Sequence, residues 1–92
     1  MSDPQQHRQF TERQGQYLAF IAMYTLVNRQ PPAESDIQAF FGVSPPAVHS
    51  MIVQLDRLGF IARTPGRARS IHVLLDPDDL PRLRPGSHNP YL

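Results

Sequence analysis

The chain has 92 residues, 40% of them hydrophobic, a net charge of +1 and no cysteine. That is one domain's worth of sequence, and it excludes a disulfide framework and any cysteine-based zinc site. No stretch approaches the roughly 20 apolar residues of a membrane span, and the polar residues Met1 to Gln9 carry no signal-peptide core, so the expectation is a cytoplasmic protein with no membrane partner.

Residues 1–10 read as a flexible polar arm. Thr11 is a candidate helix N-cap, and Gln14 three residues on completes a capping box. A long helix is predicted from there to about Asn28, with Tyr17, Ile21 and Tyr24 at i, i+4, i+7 marking one apolar face. Gln30-Pro31-Pro32 ends it, because proline disfavours helix in the residue before it. A short second helix runs to Phe41 with Ile37 and Phe41 inward. Its start is open between a capping box at Ser35 and Gln38 and a start near Ala33. Gly42 suits the tight turn that follows, since glycine takes a positive φ without steric cost. Ser44-Pro45 reads as the N-cap and first residue of a third helix, where proline's missing N–H costs nothing. That helix is predicted to reach Leu58, with Val48, Met51, Ile52, Leu55 and Leu58 as its inward stripe and Gly59 as its stop.

After Gly59 the period changes. Phe60 to Arg63 reads as a strand, and Ser70 to Leu75 alternates with Ile71, Val73 and Leu75 on one face. Pro65-Gly66 turns between them, giving a β-hairpin whose tip carries Arg67 and Arg69. Residues 76–92 form a Pro-rich tail with room for one helical turn. The predicted class is α+β, mostly helical: three helices and a C-terminal hairpin over residues 11–75, in the order of a winged helix-turn-helix.

The distribution of charge points to the use of this order. Residues 1–59 hold four arginines against five acids, and residues 76–92 hold two arginines against three acids. Residues 60–75 hold three arginines, Arg63, Arg67 and Arg69, and no acid. A helix fits the major groove of B-DNA and presents side chains to base edges. The exposed positions early in the third helix are Pro46, Ala47, His49 and Ser50, with Gln54 one turn on; they are small or polar, and the first acid on that helix is Asp56. The hairpin arginines suit phosphates or a minor groove, and a helix N-terminus favours a phosphate nearby. The plainer readings are a solvated His49 and ordinary solvated hairpin charges.

At these residues the chain resembles the N-terminal DNA-binding domain of the LexA repressor family. The resemblance runs from Thr11 to Leu75, through Thr11–Gln14, Pro31-Pro32, Ile37 to Gly42, Ser44-Pro45, Leu55 with Leu58-Gly59-Phe60-Ile61, and Gly66 with Arg69-Ser70-Ile71. It implies a recognition helix starting at Ser44, with Ser44, Pro46, Ala47, His49 and Ser50 facing base edges. The turn is one residue shorter than in that family, with Val43 alone between Gly42 and Ser44. The family's reading pattern has asparagine at the Pro46 position and acids at the His49 and Ser50 positions, so its operator does not carry over. Gln38 stands where such units place a small alanine. The sequence ends where the family's self-cleaving domain would begin, so self-cleavage is not expected.

The leading expectation is sequence-specific binding of double-stranded DNA by a transcription regulator, a repressor rather than an enzyme. No Ser/His/Asp, paired-carboxylate or Gly-rich phosphate-loop pattern appears, and no cofactor is called for. His7, His49, His72 and His88 lack ligand spacing, so no metal site is expected. A second apolar stripe on the first helix, Ala19, Met23 and Leu26, is flanked by Phe20 and Val27. It suggests a homodimer interface through Ala19, Met23, Leu26 and Val27. The alternative is that the chain around Leu80 and Leu83 folds back over it. The rival function is a winged-helix module for protein contacts, without DNA binding. Single-stranded nucleic acid would need exposed aromatics on a sheet face, and the hairpin offers only Phe60.

Overall fold

The computed structural model describes residues 10–85. The arm expected before Phe10 and the tail after Pro85 lie outside the described residues. Three α-helices, α1 (Glu12–Asn28), α2 (Glu34–Phe41) and α3 (Pro45–Arg57), precede two antiparallel strands, β1 (Ile61–Ala62) and β2 (His72–Val73), and a 3-10 turn over Pro77–Asp79. The architecture is the expected α+β winged helix-turn-helix.

Each helix starts where local chemistry places it. Thr11 Oγ1 accepts from the Gln14 N–H at 3.1 Å, while Gln14 Oε1 accepts from the Thr11 N–H at 2.8 Å, which is the complete capping box. For α2 the structure selects the earlier start. Ala33 is the N-cap, its N–H donating to Asp36 Oδ2 at 2.8 Å, and Ser35 lies inside the helix. Gly42 ends α2 at φ 65°, donating back to the Gln38 carbonyl at 2.8 Å. Ser44 then caps α3, accepting from the Ala47 N–H at 3.3 Å.

The core is the inward face of all three helices closed by the hairpin. Tyr17, Leu18, Phe20 and Ile21 of α1 meet Ile37 and Phe41 of α2, Val48, Ile52 and Leu55 of α3, and Phe60, Ile61 and Ile71. Tyr17 stacks on Phe41 with centroids 4.4 Å apart, and Phe20 on Phe40 at 4.6 Å. Phe20 therefore belongs to the core, although the sequence pattern put it beside the second stripe. Leu58, expected to complete the α3 stripe, caps the helix instead and is 50% exposed.

The hairpin is shorter than expected. Only Ile61 with Val73 and Ala62 with His72 form the ladder. Arg69 sits at φ 54°, in the left-handed region, and breaks the alternation before Ile71. A side chain takes over from the ladder at the neck of the loop. Ser70 Oγ accepts from the Thr64 N–H at 3.0 Å and lies within donating reach of the Arg67 and Thr64 carbonyls. Residues 64–70 thus form a tied loop, the wing.

The chain after the hairpin folds back on α1. Leu80 and Leu83 pack against the core. Gln16, 4% exposed, clamps this segment: its Nε2 donates to the Arg82 carbonyl and its Oε1 accepts from the Arg84 N–H, both at 2.9 Å. Gly15 permits the approach, since a Cβ there would stand 2.8 Å from the Phe10 ring and 3.0 Å from Pro81. Arg84 pairs with Glu12. The hydrogen bond first, and the opposite charge second, hold the Glu12 carboxyl below its ordinary pKa. The segment seals Ala19, which is 6% exposed, while Met23, Leu26 and Val27 stay 47%, 75% and 68% exposed. The second stripe of α1 is covered at its N-terminal end and open at the other.

Candidate nucleic-acid interface

The α3 side chains sort by helical phase. With Val48, Ile52 and Leu55 fully buried, a period of 3.6 turns residues 46, 50, 53 and 57 directly away from the core, flanked by 47, 49 and 54. Ser44, Pro46, Ala47, His49 and Ser50 are all exposed. His49 is braced from α2, its Nδ1 lying 3.4 Å from Glu34 Oε2. Gln54 is exposed, but its amide oxygen accepts from Gln14 Nε2 at 2.8 Å, so this side chain ties α3 to α1. Arg57 was missed on the sequence. It is exposed and continues the Pro46, Ser50, Val53 line; its spacing of seven from Ser50 was the available signal.

The wing arginines meet three different fates. Arg63 Nε donates to Asp56 Oδ2 at 3.0 Å with the Arg63 side chain 15% exposed, which fastens the start of the wing to α3. Arg69 reaches away from the wing tip. Its Nη1 lies 3.1 Å from Asp36 Oδ2 and 3.2 Å from both the Tyr24 hydroxyl and the Pro31 carbonyl. The Tyr24 hydrogen bond, with the Asp36 charge adding to it, raises the Arg69 pKa further, so the group is a cation wherever the domain is folded. Arg67 is exposed at the tip beside Gly66 and has no acidic partner among the described residues. The acid-free segment 60–75 is therefore not an acid-free surface. Folding brings Asp56 and Asp36 to two of its three arginines, because carboxylates remote in sequence are close in space.

A groove of about 320 Å³ lies between the wing and the start of α2, with Pro32, Ala33 and Glu34 on one wall, Thr64, Gly66 and Arg67 on the other, and His49 reaching it from α3. The segment after the hairpin makes its hydrogen bonds with α1, on Gln16 and Glu12. No group of three or more His, Cys, Asp or Glu poised for a metal ion occurs among the described residues. No helix among them is long and apolar enough to cross a membrane.

Comparison with known proteins agrees with this geometry. The family model for the LexA DNA binding domain matches residues 7–70. The LexA repressor of Thermosipho africanus (strain TCF52B) is 32% identical over 71 residues, covering 77% of this chain and 36% of that protein. The LexA repressor of Thermosipho melanesiensis is 33% identical over 67 residues, covering 73% of this chain and 34% of that protein. The chain thus spans about a third of the length of these curated relatives. The family model spans more than half of the chain, and the chain belongs to the LexA DNA-binding domain family.

Proposed function

We propose that this domain binds double-stranded DNA sequence-specifically as a cytoplasmic transcription regulator, a repressor that acts by occupying its site and not by catalysis. The observation that carries the reading is that the early α3 side chains and the wing-tip Arg67 are exposed together, with His49 and Arg67 lining one groove. In this reading α3 enters the major groove. Ser44, Pro46, Ala47, His49 and Ser50 face base edges, and Arg57 stands near the backbone. The N-terminus of α3 and Arg67 take phosphates. Gln54, Arg63 and Arg69 act mainly behind this surface, since Gln54 Oε1, Arg63 Nε and Arg69 Nη1 are each engaged within the domain. The reading pattern differs from that of the resembled family at residues 46, 49 and 50, so a different operator is expected.

Twofold operators call for two copies. Met23, Leu26 and Val27, which the folded-back segment leaves open, support a homodimer through the C-terminal half of α1; Ala19 is sealed and lies behind that contact. Sedimentation at rising concentration tests this, and Met23→Glu should split a genuine dimer.

The primary test is selection of bound duplexes from a random DNA pool at low salt. A recurrent, palindromic motif is expected. An absence of duplex binding at low salt, with a stoichiometric protein partner recovered instead, would replace the proposal with a protein-contact module.

A further inference from the structure

We infer that Arg69 is a positioning residue of the wing, a latch that holds Arg67 against the DNA-facing side while taking no part in DNA contact itself. The inference rests on the DNA-binding reading for its consequence, but the latch is a property of the free domain.

Three observations converge on it. Arg69 occupies the left-handed region at φ 54°, which residues other than glycine rarely adopt. An unconstrained loop would relax from it. Its Nη1 then meets three groups at once, the Tyr24 hydroxyl, the Pro31 carbonyl and the Asp36 carboxylate, and the guanidinium carbon lies 6.0 Å from the Tyr24 ring centroid. These partners come from the end of α1, the α1–α2 corner and the first turn of α2. Finally, the Asp36 oxygen that meets Arg69 also accepts the Ala33 N–H that starts α2. The wing is thereby joined through one carboxylate to the helix that supports α3.

Arg69 is two residues from Arg67, and Ser70 ties the loop neck on the other side. A phosphate contact through Nη1 would have to displace these partners.

The test separates charge from geometry. Asp36→Asn keeps an acceptor for the Ala33 N–H but removes the ion pair. Counting charge alone predicts tighter DNA binding, because an acid is removed; the latch predicts binding roughly five-fold weaker, the size of one or two missing hydrogen bonds. Tyr24→Phe removes one hydroxyl and should weaken binding by roughly two-fold. Arg69→Ala should weaken it without changing the slope of log K against log salt. Arg67→Ala should reduce that slope by about 0.9, the change expected when one phosphate is no longer neutralised. Thermal melts of each variant establish that it is folded at the assay temperature.

Amide exchange at Thr64 and Arg67, whose N–H groups are bonded within the wing, supplies the independent readout in the DNA-free protein, and it should accelerate in Asp36→Asn and Tyr24→Phe. Tighter or unchanged binding by Asp36→Asn, or a slope drop in Arg69→Ala like that of Arg67→Ala, overturns the latch. If the unmodified domain shows no duplex affinity, the DNA-binding reading fails by itself. The exchange measurement still judges the latch, and unchanged rates in both variants would sink it.

Discussion

Along α3, residues 46, 50, 53 and 57 face outward because Val48, Ile52 and Leu55 face inward, and one period assigns both sets. Along the wing no period operates. Three arginines within seven residues separate into one fastened to α3, one exposed at the tip and one latched to the α1–α2 corner. The contrast teaches where the two halves of the interface get their rigidity. The helix derives it from backbone hydrogen bonds and a buried stripe. The wing, with two paired residues on each strand, derives it from side chains, so polar substitutions that α3 tolerates should loosen the wing.

The largest effect should come from the inward side of α3. Ile52→Ala removes a fully buried side chain and should cost about 3 kcal/mol, lowering the melting temperature by more than about 10 °C in a domain of this size. Calorimetry or thermal circular dichroism reads this directly. A shift of only a degree or two would mean that α3 does not depend on its stripe in the way claimed.

Arg63→Ala comes next. It releases the wing from Asp56, yet Asp56 keeps access to water, so a stability loss of about 1 kcal/mol is expected in urea denaturation. Ordering of the wing should suffer more than global stability, which amide exchange at Thr64 would register. Equal loss of protection across α3 and the wing would erase the distinction drawn between them.

Exchanging outward residues should leave stability alone, within about 0.5 kcal/mol, and act on DNA. Ser50→Ala should change which duplexes are selected from a random pool. Arg57→Ala should weaken binding to all duplexes alike and lower the salt slope by about 0.9. If Arg57→Ala instead altered sequence preference, the C-terminal turn of α3 would have to sit deeper in the groove than its phase suggests.

The smallest effect lies outside both halves and serves as their control. The Glu12 pKa is lowered in the folded state by Arg84. A depressed carboxyl pKa contributes stability that is present above the ordinary glutamate value and lost as pH falls through the lowered one. Acidification below the ordinary glutamate range should therefore loosen the segment around Arg84, seen as a smaller protection factor of the Arg84 N–H relative to its intrinsic exchange rate at each pH. The α3 and wing amides should not follow, and Glu12→Gln should abolish the pH dependence.

Much of this molecule was legible in one dimension because its causes are local. The Thr11–Gln14 box, the Gly42 turn, the Ser44-Pro45 start and the Val48, Ile52, Leu55 stripe each depend on residues within a turn or two of each other, so their spacing alone determines them. Tertiary structure alone decided which charges are spoken for. Asp56 reaches Arg63 across 7 positions, Asp36 meets Arg69 across 33, and Gln14 takes Gln54 across 40. It also decided that the segment around Leu80 and Leu83 covers only the Ala19 end of the second α1 stripe and leaves Met23 and Leu26 exposed. Electrostatic and packing partners are chosen by distance in space, and counting charges along the chain could place three arginines in one segment without showing that the fold leaves only Arg67 of the three without an acidic partner among the described residues.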